Sequence, residues 1–157
     1  MDATITPLHE PEEARQCAAM MCGSEPWITL GRSFDQSLRI IQDQDREVFI
    51  ARHEGHVAGF LTLCLTGAFV GYVQTVCVDP ALRGRGIGTE LLRFAEDRIF
   101  SRFPNVFMCV SSFNHGARRL YARLGYEVVG EIRDYLVAGQ GEILLRKTRG
   151  PLQTTAV

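Results

Sequence analysis

The amino-acid sequence predicts an α/β fold, a mixed and mostly antiparallel twisted sheet with one central parallel βαβ unit and helices on both faces. Three observations carry this expectation. Apolar residues recur at helical spacing in some segments and alternate or run continuously in others, in the order β-α-α-β-β-β-α-β-α-β-β. A long amphipathic stretch, 86–102, lies between two β-rich runs, 70–78 and 106–110, which is how a crossover helix joins parallel strands, with an expected right hand. Ahead of it, the runs 47–52 and 56–65 are joined by Glu54-Gly55, a hairpin signature that makes the earlier strands antiparallel. There is no internal repeat and no linker, so one domain is expected over 1–149, with a frayed tail over 150–157.

The elements follow in order. Residues 3–6 suit a short first strand. From Pro11 to Cys22, Ala14, Cys17, Ala18 and Met21 mark one helix face, and Gly23-Ser24-Glu25-Pro26-Trp27 breaks it. A second helix, 33–42, sets Phe34, Leu38 and Ile41 on one side, with Ser33 placed to cap it. Gly67 interrupts the β-rich region before the strand at 70–78. The long helix aligns Ile87, Leu91, Ala95 and Ile99, and Pro104 closes it. Val106 to Val110 is continuously apolar, as a buried parallel strand should be. From Asn114 to Leu124 the apolar positions are Ala117, Leu120, Tyr121 and Leu124, and Gly125 ends the helix. Runs at 127–133 and 142–146 supply the last strands.

Composition narrows the function classes. The chain has 157 residues, 46% of them hydrophobic, and a net charge of -1, so no overall basic field recommends nucleic acid as a partner. No apolar run approaches the roughly 20 residues of a membrane helix. The start, Met1-Asp2-Ala3-Thr4, carries neither a charged leader nor an apolar segment, so no secretory signal is expected. Five cysteines form no Cys-x-x-Cys pair, and Cys17, Cys64, Cys77 and Cys109 lie in apolar surroundings, which suits reduced thiols of a cytoplasmic protein. The four histidines match no metal spacing, and His53 and His56 flank the hairpin tip, so no metal is expected.

The most informative segment runs from Val76 to Thr89: an apolar strand, a proline turn, the loop Arg83-Gly84-Arg85-Gly86, then a helix start. Glycines at 84, 86 and 88 let backbone approach a ligand, and the helix start adds free N–H groups and a positive dipole end. The segment reads as a pyrophosphate cradle. A nucleoside-triphosphate loop needs Gly-Lys-Ser/Thr, and no lysine follows Gly86 or Gly88. A dinucleotide fingerprint needs its third glycine one position later and an acid after the second strand, where Ser111-Ser112-Phe113 stands instead. A plain glycine-rich turn with solvated arginines is the bland alternative.

Val76-x-Val78-Asp79-Pro80 followed by Arg83-x-x-Gly86-x-Gly88 resembles the coenzyme-A loop of the GCN5-related N-acetyltransferases (GNAT family). Asn114-x-x-Ala117-x-x-Leu120-Tyr121-x-x-Leu124-Gly125-Tyr126 is similar to the second cofactor motif of that family, and the order and distance of the two motifs also fit. The resemblance spans about residues 4–147. It implies the GNAT fold and acetyl-CoA as cosubstrate. It also implies direct transfer of acetyl to a primary amine, either a protein N-terminus or a small molecule. Many members form homodimers, although nothing in this sequence marks an interface. A coenzyme-A-binding or regulatory module with weakened catalysis is the alternative from another class.

The resemblance also implies roles. The backbone of Gly84, Arg85, Gly86, Ile87, Gly88 and Thr89 would hold the pyrophosphate. Arg83 and Arg85 each either reach a phosphate or stand in solvent. Val76-Cys77-Val78 would follow the pantetheine arm, with a bulge freeing an N–H for the thioester oxygen. Cys77 has no neighbouring base in sequence to make it a nucleophile. Tyr121 would protonate the leaving thiolate, and its competing role is a core aromatic on the helix stripe. Asn114 suits either a helix cap or a contact to pantetheine amides.

The general base is the gap. Positions where relatives place an acid hold Gln74 and Cys109, neither a good base, and the other options are Glu25, Asp35, water or no base at all. Pro26-Trp27 after the first helix and Arg133-Asp134-Tyr135 near the end resemble bacterial ribosomal-protein N-terminal alanine acetyltransferases, so Trp27 and Tyr135 would border the acceptor. Those enzymes carry an acid where Cys109 stands. Trp27 could equally plug the core.

Overall fold

The computed structural model describes residues 3–153. Residues 154–157 of the expected tail, and residues 1–2, lie outside the described residues. The elements are β1 (Thr4–Pro7), α1 (Pro11–Cys22), α2 (Phe34–Ile41), β2 (Arg46–His53), β3 (His56–Cys64) and β4 (Tyr72–Val78), then α3 (Ile87–Phe100), β5 (Asn105–Ser111), α4 (His115–Arg123), β6 (Glu127–Arg133) and β7 (Gly141–Thr148). Local chemistry sets several ends. The Ser33 hydroxyl accepts from the Gln36 N–H at 3.2 Å and caps α2. Asn114 caps α4 by accepting from the Ala117 N–H at 3.2 Å. Glu54 and Gly55 both have positive φ, 50° and 80°, the pairing that lets a two-residue turn follow strand twist. The proline turn after β4 is a short 3-10 turn, Pro80–Leu82, and Asp79 caps it by accepting from the Ala81 N–H at 2.9 Å.

All seven strands form one sheet in the order β1-β2-β3-β4-β5-β7-β6, antiparallel throughout except for β4 beside β5. Strand alternation divides the apolar side chains between two faces. On one face Ile50, Phe60 and Cys77 pack with Ala14, Cys17, Ala18 and Met21 of α1 and Ile41 of α2. On the other, Phe49, Leu61, Leu63, Val106 and Met108 pack with Ile87, Leu91, Ala95 and Ile99 of α3. Helices therefore cover both faces, as the sequence predicts.

β4 departs from simple alternation. Its pairing with β3 steps from Thr62↔Thr75 to Leu63↔Val73, which leaves Gln74 as an extra residue. The bulge changes the phase of the strand. Val73, Val76 and Val78 all pack on the α3 side, while Cys77 packs on the α1 side.

The parallel pair begins at Gly71. Its carbonyl accepts from the Phe107 N–H at 3.0 Å. Its φ is +88°, and a Cβ there would lie 2.4 Å from the Asn105 carbonyl oxygen. Gly71→Ala should therefore cost about 3 kcal/mol, from left-handed strain plus overpacking, and lower Tm by roughly 10 °C. Gly67 has the same sign of φ but open space around it, so Gly67→Ala should cost only about 1 kcal/mol. Thermal melts of the two variants test this, and equal losses would refute the role given to the close approach.

Candidate active site

Parallel pairing between β4 and β5 covers only Tyr72↔Phe107 and Val73↔Met108. Beyond that point β4 stays with β3 as far as Gly59↔Val78, and β5 stays with β7 as far as Ser111↔Glu142. The sheet thus parts in its middle, and the β4 backbone facing β5 over 74–78 has no strand partner. Two cavities meet at this opening. One, of about 500 Å³, runs along Val76–Val78 and the glycine loop to α4. The other, of about 470 Å³, lies among Trp27, Tyr72, Gln74, Cys109, Tyr135 and Glu142. Pro26, Trp27, Val76, Asn114 and Tyr121 line both.

The first cavity is bounded by an anion-ready loop. Gly84 and Gly86 have φ of 77° and 91°, a backbone that disfavours any Cβ. The bonds of this segment start only at Glu90, whose N–H donates to the Gly86 carbonyl at 3.0 Å. Among the described residues, no backbone acceptor takes the N–H groups of Gly84 through Thr89. Those of Ile87, Gly88 and Thr89 belong to the first turn of α3, where the helix dipole is positive. Gly88 differs from the other two: a Cβ there would sit 3.6 Å from Val78 Cγ2, ordinary contact. Arg83 lines the cavity and its Nε donates to the Val78 carbonyl at 3.3 Å. Arg85 is exposed and is not part of the lining. The loop thus offers free N–H groups suited to an anion, and the parted strand offers an unpaired backbone edge beside it.

Tyr121 stands where the cavities join. Its ring meets that of Tyr126 edge-on at 6.1 Å. Burial pushes its phenol up to about 12, so the group keeps its proton at neutral pH. Cys77 is 1% exposed, with its side chain in the α1 core, and burial pushes its thiol up to about 12 as well. Only its backbone is available to the cavity, which disposes of a nucleophilic role.

The second cavity shows what became of the residues considered for the base. The Gln74 side-chain oxygen accepts from Arg46 Nε at 2.7 Å. Burial pushes the Cys109 thiol up, while the Tyr72 hydroxyl bonded to it pulls the other way. Glu25 borders the first cavity and accepts from the Thr29 N–H at 3.1 Å, and Asp35 is exposed on the first turn of α2. Trp27 and Tyr135 both line the second cavity. Sequence reasoning missed Glu142, which is 4% exposed and accepts from the Ser111 hydroxyl at 2.6 Å. Burial pushes its carboxyl above the ordinary range, and the Ser111 bond partly offsets this. Its one sequence signal is an acid directly before the apolar run Ile143-Leu144-Leu145. Among the described residues, no group of three or more His, Cys, Asp or Glu is placed to hold a metal, and no helix is long and apolar enough to cross a membrane.

Comparison with known proteins places this geometry. The profile of the acetyltransferase (GNAT) family matches residues 12–126. The chain is 32% identical over 146 residues to N-alpha-acetyltransferase RimI of Mycobacterium tuberculosis, covering 88% of each protein. The ribosomal-protein-S18-alanine N-acetyltransferase of Escherichia coli has the same fold, with a TM-score of 0.77, 18% identity and 99% of both chains covered. An aminoglycoside 6'-N-acetyltransferase complexed with coenzyme A superposes with a TM-score of 0.77 at 17% identity, covering 96% of this chain and 99% of the other.

The thiol environments are directly measurable. With iodoacetamide at about pH 8, Cys17 and Cys77 should alkylate at least about a hundredfold more slowly than free cysteine, and become reactive in denaturant. Peptide mass mapping reads this, and rapid labelling of Cys77 in folded protein would contradict its placement.

Proposed function

The chain belongs to the acetyltransferase (GNAT) family, and from that premise we propose how its two cavities divide the transfer of acetyl from acetyl-CoA to a primary amine. The observation that carries the proposal is their meeting at Val76 and Tyr121, across the opening between β4 and β5. The first cavity takes the cofactor. Free N–H groups from Gly84 to Thr89 bind the pyrophosphate, with Arg83 beside them. The unpaired edge of β4 over Val76–Val78 lines the pantetheine arm, and a backbone N–H there stabilises charge developing on the carbonyl oxygen.

Tyr121 protonates the departing sulfur. A phenol near 12 is a weaker acid than a thiol of about 8.5, so the proton moves only as the carbon–sulfur bond breaks. Asn114 serves first as the cap that orients α4, and thereby Tyr121. The acceptor enters from the second cavity between Trp27 and Tyr135, and its amine is that of a protein N-terminus or a small molecule. The likeness to an N-alpha-acetyltransferase favours the former. The cytoplasm, which supplies acetyl-CoA and keeps thiols such as the five free cysteines reduced, is the proposed compartment.

Three outcomes are expected in steady-state assays of acetyl-CoA consumption. Gly86→Val should raise the KM for acetyl-CoA about tenfold or more with an unchanged KM for the amine, because a β-branched residue resists φ of 91°. Tyr121→Phe should lower kcat about a hundredfold with little change in either KM. An acid must be protonated to work, and Tyr121 loses its proton only near 12. The alkaline side of the wild-type kcat profile, which reports the bound complex, should therefore show no loss from Tyr121 up to about pH 10. Unchanged cofactor kinetics in Gly86→Val would count against the cradle, and unchanged kcat in Tyr121→Phe against the acid.

A further inference from the structure

Glu142 is a buried carboxylate without a cation. Ser111 donates to its Oε1 at 2.6 Å, and among the described residues no side chain pairs with its charge and no donor reaches Oε2. A buried, singly bonded carboxylate is costly unless something else completes it. The β5–β7 register places it at Ser111↔Glu142, beyond the point where β5 has left β4, so it borders the second cavity rather than filling a sheet interior. It is the sole acid in that lining, and Arg32 is the sole cation. The other walls are mainly apolar and aromatic, among them Trp27, Phe69, Tyr72 and Tyr135, and the polar residues between them, such as Thr66, Gln74 and Thr75, are uncharged.

Resting on the transferase reading above, we infer that Glu142 receives the acceptor's ammonium and takes its proton, and that the acceptor is a singly charged primary amine on an apolar or aromatic stem. Aromatic faces around one carboxylate suit one ammonium group. A polycation would bring further charges with no acids to meet them, and Arg32 would repel them. The likeness to aminoglycoside acetyltransferases is therefore one of fold, and the cavity selects another acceptor class.

The balance is simple. The ammonium gives one proton to Glu142, and the neutral nitrogen forms a bond to the thioester carbon as the carbon–sulfur bond breaks. Tyr121 protonates the sulfur, the amide nitrogen sheds a second proton that restores Tyr121, and Glu142 releases its proton to water. Ser111 is a positioning residue that holds the carboxylate toward the cavity.

The test uses 2-phenylethylamine, a hexapeptide with a free N-terminus and uncharged side chains, and kanamycin A. The wild type should acetylate phenylethylamine or the peptide with kcat/KM at least about tenfold above kanamycin. Glu142→Gln keeps the shape and the Ser111 contact. It should lose about a hundredfold in kcat/KM and fail to bind the amine calorimetrically. Its affinity for acetyl-CoA should stay within about twofold and its Tm should not fall. A base works only when ionised, so the wild-type profile should rise with pH through an acid limb above the ordinary carboxylate range, and Glu142→Gln should lack that limb. Tyr72 and Cys109, which face Glu142, and Tyr135 and Arg32 on the walls remain in the variant, so they cannot produce the difference. Ser111→Ala should move the limb to higher pH, since the lost bond favoured the ionised form. Wild-type activity and an intact limb in Glu142→Gln overturn the inference. So does a preference for kanamycin, or inactivity on all three amines with acetyl-CoA still bound. Failure to bind acetyl-CoA at all overturns the transferase reading instead.

Discussion

The parallel contact between β4 and β5 lasts two residue pairs and then ends, and the rest of the site depends on that separation. A continuous sheet would bond every backbone group of β4 to a neighbour. Here the strand gives one edge to β3 and leaves the other open from Gln74 onward. The opening is held at its base by Gly71, which only a residue without Cβ could bring so close to Asn105. It is held apart at the top because β5 follows β7 instead. An opening of this kind supplies backbone donors, a passage through the sheet, and a meeting place for two cavities.

The bulge at Gln74 works with this separation. It reverses the alternation of β4, so that Cys77 enters the α1 core while Val76 and Val78 face α3 and the cofactor cavity. The reactive thiol is thereby buried, and the cofactor side is left with apolar side chains and backbone. In the proposed division of the site, Arg83 and the start of α3 suit the anionic end of the cofactor, while Glu142, with Arg32 in the same lining, is the group that meets the amine.

The elements legible from sequence were those whose causes are local. Ser33 and Asn114 cap their helices as their positions suggest, since capping joins atoms three residues apart. The glycine loop was legible because the need for positive φ at Gly84 and Gly86 is a property of each residue alone. Gly88 has no positive φ, and a Cβ there would make only ordinary contacts, so its place in the loop rests on approach to a ligand and not on backbone conformation. Local reasoning left open whether Arg83 and Arg85 differ, and only the path of the loop separates them, with Arg83 on the groove and Arg85 outside it.

By itself the sequence determined the order of elements, the glycine-rich helix start and the family, because hydrophobic period, turn chemistry and motif spacing are all written along the chain. Tertiary structure decided where β4 leaves β5, which face Cys77 takes, and that Glu142 lies in the cavity of Trp27 and Tyr135 with Ser111 against it. Those two residues are 31 positions apart and meet only through the β5–β7 register. An acid before an apolar run is ambiguous in one dimension. Its carboxyl becomes chemically useful only when the packing of three strands removes water from one side and leaves a cavity on the other.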